Sequence, residues 1–131
     1  MKVFTRDARC AGCVRVVARA AVAVSLAAVA SLACAHAYPK VRTPAAGATV
    51  AAPRGVSIEF GEALEPAFSS MKVADARGTT VSTGKSAVDP RDGRRMSVAL
   101  GALGPGAYTV EWVAVADDGH RTQGNYVFNV K

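Results

Sequence analysis

The chain contains two histidines, His36 and His120, and their settings decide what chemistry is open to it. Ala33-Cys34-Ala35 closes an apolar stretch and has the A-x-A form of a signal-peptidase site, which predicts cleavage after Ala35. His36 then becomes the first residue, with a free α-amine beside its imidazole. Those two nitrogens form a chelate for a transition metal. His120 sits within Asp117-Asp118-Gly119-His120, beside carboxylates. A terminal histidine and an acid-flanked histidine point to copper rather than to a hydrolytic triad. The sequence carries no Ser-His-Asp set, no paired acids in a pocket pattern and no glycine-rich phosphate loop.

The leader is set aside before composition is read. Lys2, Arg6, Arg9, Arg15 and Arg19 make a basic n-region, and residues 20–32 are an apolar run too short for a comfortable membrane span. The 131-residue chain has a net charge of +6, but residues 36–131 keep 11 basic and 9 acidic groups. The basic balance is therefore mostly the leader's and gives no reason to expect nucleic acid binding. No membrane insertion is expected after cleavage. All three cysteines, Cys10, Cys13 and Cys34, also fall in the leader. Cys10-Ala11-Gly12-Cys13 has the spacing of a metal or redox half-site but no partner pair, so it is read as having no function. A competing address is lipidation of Cys34, which would leave His36 third in the chain without a free amine. In Ser31-Leu32-Ala33 the leucine lies one place too close to Cys34 for the usual lipobox.

The 96 residues from His36 onward are enough for one domain. With no cysteine they have no disulfide, and core burial must hold them together. They read as all-β. Candidate strands are 40–43, 56–60, 69–74, 80–85, 96–100, 108–115 and 122–130. Val56-Ser57-Ile58-Glu59-Phe60 alternates apolar and polar, as a half-buried strand does. The stretch 108–115 alternates and then turns wholly apolar, as a central strand would, with 126–130 as a strand beside it. Residues 44–47, 53–55, 75–78, 89–93 and 104–106 supply the turn chemistry between them. Residues 62–67, interrupted by Pro66, are a loop or single turn. Seven short strands predict a Greek-key β-barrel or sandwich of immunoglobulin-like type, without the Cys-Trp-Cys pattern of antibody domains. Phe60, Phe68, Tyr108, Trp112, Tyr126 and Phe128 are expected in its core.

Taken together, these residues resemble the CopC-type periplasmic copper-binding proteins of bacterial copper-resistance systems. The resemblance runs from Ala35-His36-Ala37 and Thr43-Pro44-Ala45 through Phe60-Gly61-Glu62. It continues in 106–112, Asp118-Gly119-His120 and Gly124-Asn125-Tyr126-Val127-Phe128. It implies a seven-stranded Greek-key barrel over 36–131. It also implies one Cu(II) per chain, held by the amine and imidazole of His36, by Asp118 and by His120. Three nitrogens and one oxygen suit the tetragonal preference of Cu(II). Asp118 and His120 are two apart, so in extended backbone their side chains leave on one side. The nitrogen donors must be unprotonated to bind, so affinity should weaken as pH falls. Glu62 stands where the family has a glutamate near the site. It is read either as an outer carboxylate orienting the donors or as a solvated loop residue. Asp117 is read as a turn residue.

Some family members bind Cu(I) through a methionine-rich loop. Here residues 36–131 contain only Met71 and Met96, in separate strands, and both are expected to pack. The reading is a Cu(II)-only carrier or buffer in the periplasm, not an enzyme. The resemblance also implies a partner, an inner-membrane copper transporter. Two other classes remain open on the sequence: an exported interaction module without a metal, and a histidine-brace copper oxidase.

Overall fold

Alternation in the sequence becomes alternation of burial. Val56, Ile58 and Phe60 point into the core, while Ser57 and Glu59 between them are half-buried. The computed structural model describes residues 36–131. The leader, its cysteines and the cleavage point after Ala35 lie outside the described residues.

Eight strands follow in order: β1 (Pro39–Thr43), β2 (Thr49–Val50), β3 (Gly55–Phe60), β4 (Ser70–Asp75), β5 (Ser82–Val88), β6 (Arg95–Leu100), β7 (Gly106–Val115) and β8 (Arg121–Val130). They form two four-stranded sheets, β1-β3-β6-β5 and β2-β8-β7-β4. The first five strands alternate between the sheets, so successive strands repeatedly cross the core. All seven expected strands are present. The added one, β2, is two residues long and runs parallel to the end of β8. Two residues are too few for a period to show in the sequence.

The core lies between the sheets. Val56 pairs with Val98 and Ile58 with Met96 across β3 and β6. Facing them are Tyr108, Val110, Trp112 and Ala114 of β7 and Tyr126, Phe128 and Val130 of β8. Phe60 meets Trp112 edge-on at 5.4 Å, and Tyr108 stacks on Phe128 at 5.7 Å, geometries that suit aromatic quadrupoles. Met71 and Met96 are buried packing residues, as expected. Phe68 is not a core residue: it is 68% exposed in the turn before β4, where no strand aims it inward.

The turn at 75–78 forms as expected. Asp75 accepts from the N–H of Arg77 and of Thr79, and Gly78 has φ +83°. It does not, however, join two strands of one sheet, since β4 and β5 lie in different sheets linked by one bridge, Ala74 to Thr80. The edge of β4 is instead satisfied by hydroxyls of β5. The N–H of Met71 donates to Ser86 Oγ at 2.8 Å and that of Val73 to Ser82 Oγ at 3.3 Å. Side chains thus blunt an edge that would otherwise invite pairing.

Candidate metal centre

The end of the sandwich where β7 hands over to β8 carries His120. The two strands pair along their whole length, from Gly106 with Val130 to Val115 with Arg121, so the chain must reverse within 116–120. The Ala116 N–H donates to the His120 carbonyl and the Gly119 N–H to the Ala116 carbonyl, both at 2.9 Å. Gly119 has φ +88°, a left-handed conformation that favours glycine. Within this turn Asp118 Oδ1 accepts the His120 N–H at 3.0 Å, and Oδ2 lies 2.8 Å from His120 Nδ1. Asp118 and His120 therefore do come together. They do so through an Asx-type turn rather than the extended backbone expected, because the reversal leaves no room for a strand there. The His120 N–H, and after it the His120 ring, hold the Asp118 carboxyl below its ordinary 3.8, and the field of His36 acts in the same direction.

His36 reaches this turn from the other end of the chain. The side chain of Ala37 is fully buried, and its carbonyl accepts a hydrogen bond from Thr122 Oγ1 at 2.8 Å. The Tyr38 carbonyl accepts the Gly61 N–H at 3.0 Å, and the Tyr38 N–H turns back to the His36 carbonyl at 2.7 Å. Clamped in this way, the His36 ring lies 5.3 Å from the His120 ring and 5.6 Å from the exposed Tyr38 ring. His36 Nδ1 is buried and has no hydrogen-bond partner among the described residues. An orphaned buried nitrogen costs about 1–3 kcal/mol unless something else takes its lone pair or proton. Nδ1 is also the ring nitrogen that closes a six-membered chelate with the residue's own α-nitrogen.

Among the described residues, no three His, Cys, Asp or Glu side chains form a ready metal cage. The site is a row of pairs, His36 against His120 and His120 against Asp118. Glu62 lies between two anchors: Gly61 bonds to Tyr38, and the Ala63 carbonyl accepts the Asp117 N–H at 3.2 Å. Its two chain neighbours thus bond to the two segments that bear the site. Its carboxylate makes no hydrogen bond to His36, Asp118 or His120 among the described residues. Asp117 is exposed and contributes its backbone. Sequence reasoning missed Ala37, Thr122 and Tyr38. A small residue beside His36 and a hydroxyl two places after His120 are all the sequence shows there, and neither signals a contact across the fold.

Comparison with known proteins places the chain in a family. Residues 40–131 match the family described as the CopC domain. Protein YobA of Escherichia coli K12 is 38% identical over 99 residues, 74% of this chain and 80% of the relative. The copper transport protein CutJ of Bacillus subtilis is 35% identical over 98 residues, 73% of this chain but 18% of the relative. Among solved structures, CopC from Methylosinus trichosporium OB3b superposes with a TM-score of 0.68 at 31% identity, covering 73% of this chain and 94% of that one. PcoC from Escherichia coli, a methionine-rich copper resistance protein, gives 0.66 at 34% identity, covering 74% of this chain and 100% of that one.

Proposed function

The chain belongs to the CopC family of copper-resistance proteins, which are not enzymes, and from that premise we propose that residues 36–131 are a periplasmic carrier or buffer for one Cu(II) ion. The observation that carries this reading is the approach of the only two histidines to 5.3 Å, with Nδ1 of His36 buried and without a hydrogen-bond partner among the described residues.

Signal-peptide cleavage after Ala35 would free the α-amine and complete the donor set. The amine and imidazole of His36, the Asp118 carboxylate and the His120 imidazole give three nitrogens and one oxygen, a set suited to tetragonal Cu(II). Asp118 supplies an anionic oxygen that favours Cu(II) over Cu(I), which opposes the redox cycling of a histidine-brace oxidase. Glu62 would offset the remaining positive charge from outside the donor set; support comes from its neighbours Gly61 and Ala63, which bond to Tyr38 and Asp117. Burial of both Met71 and Met96 supports a protein that handles Cu(II) alone.

The partner we propose is an inner-membrane copper transporter. Support comes from CutJ, a copper transport protein in which the part like this chain is 18% of the whole.

Trp112, the only tryptophan, lies on β7 against Phe60 and provides the readout. Titrating the domain that starts at His36 with Cu(II) should quench its fluorescence to an endpoint at one equivalent. His120→Ala should weaken the binding by at least about tenfold. Quenching that needs many equivalents, or that is unchanged in His120→Ala, would reject the reading.

A further inference from the structure

We infer that Thr122 is a positioning residue of the copper site, whose hydroxyl fixes the N-terminal arm so that His36 is presented to His120. This rests on the copper-site reading above and adds to it the device that brings the two histidines together.

Thr122 Oγ1 lies 2.8 Å from the Ala37 carbonyl and 3.5 Å from the Ala114 carbonyl. A hydroxyl has one proton to give, and the shorter contact receives it. Thr122 stands two residues after His120, and Ala37 one residue after His36. A single hydrogen bond thus ties together the two histidine-bearing segments, 85 residues apart in sequence. The buried Ala37 methyl seats the arm in the core beside this bond. The arm's other anchor, Tyr38 to Gly61, leads to the end of β3 in the opposite sheet. Removing the Thr122 hydroxyl therefore leaves the arm attached to one sheet but without its hydrogen bond to the strand that follows His120. The amine and imidazole of His36 would still chelate an ion. What falls is the effective concentration of His120 and Asp118 around it.

The test compares Thr122→Val, which keeps shape and strand preference but loses the hydroxyl, with Thr122→Ser, which restores it. Both are made in the domain starting at His36. Cu(II) affinity is read by competition with a chromophoric chelator, and the donor set by electron paramagnetic resonance. Thr122→Val should bind about five- to tenfold more weakly, the worth of one hydrogen bond, and its spectrum should report fewer nitrogen donors. Thr122→Ser should recover the wild-type spectrum and most of the affinity. A merely structural role would lower the melting temperature without changing the donor set. Wild-type affinity and spectrum in Thr122→Val would overturn the inference while leaving the copper site standing. Wild-type protein that binds copper without depending on His120 would overturn both. If Thr122→Val does not fold, Thr122→Ala against Thr122→Ser decides by the same two readouts.

Discussion

His120 Nδ1 and Asp118 Oδ2 stand 2.8 Å apart, the separation of two adjacent donors on a square placed about 2 Å from a central ion. With a proton between them the same two atoms form the hydrogen bond that orders the turn. Under the copper reading, an ion bound by both groups would displace that proton and turn both lone pairs toward itself, at the expense of the hydrogen bond.

Removing the charge of Asp118 tests this pairing. Asp118→Asn keeps an oxygen that can accept the His120 N–H but loses the anionic donor. It should weaken Cu(II) binding by at least about tenfold. Asp117→Ala, next to it but contributing only backbone, should change affinity less than about twofold. Competition titrations of the two variants side by side would read the contrast, and equal losses would argue against Asp118 as a donor.

Acid release of copper should come from the nitrogen donors. The Asp118 carboxyl is held below its ordinary 3.8, first by the His120 N–H and then by the His120 ring. A carboxylate with a lowered folded value stabilises the protein above the unfolded value, and that contribution fades as pH falls through the folded one. Asp118 therefore stays ionised well into the acid range. Bound copper measured against pH should fall before that carboxylate is protonated. The midpoint should respond to His120→Ala more than to Asp118→Asn.

Gly124 is fixed by the indole beneath it. A methyl group there would stand 2.8 Å from Cζ2 of Trp112, a rigid ring already packed on Phe60. Gly124→Ala should cost about 1–3 kcal/mol of stability. Thermal or denaturant unfolding of the metal-free domain would show it, and an unchanged midpoint would mean the ring can shift.

Tyr126 predicts an alkaline limit. Burial pushes its hydroxyl up to about 12, against a smaller opposing effect of Arg42, whose guanidinium carbon lies 5.6 Å above the ring. A raised folded value means its stabilising contribution is whole below about 10, the unfolded value, and is lost as pH rises toward the folded one. The hydroxyl is also buried without a hydrogen-bond partner among the described residues. Tyr126→Phe should therefore be neutral or slightly stabilising at neutral pH, and should reduce the loss of stability between about pH 10 and 12. Unfolding midpoints measured across that range would decide it.

Much of the fold was legible because apolar and polar residues alternate. Val56 to Phe60 and Tyr108 to Ala114 place every second side chain inside, as they read. β2 was hidden because two residues carry no period, and Phe68 was misassigned because an aromatic in a turn carries none either. The residue types of the candidate site were legible because there are two histidines and one of them stands at an expected terminus. Its geometry was not. That Asp118 and His120 meet in a turn depends on how β7 and β8 pair, and that Thr122 ties down Ala37 depends on a contact across 85 residues. Neither relation has a local signal.

The central claim is that the free α-amine of His36 closes the site with His120. The most direct test is Cu(II) titration with electron paramagnetic resonance of two proteins, one starting at His36 and one retaining Ala35. The account predicts one tightly bound, tetragonal, nitrogen-rich Cu(II) in the first and sharply weaker binding in the second. Equal affinity and identical spectra in the two would contradict it.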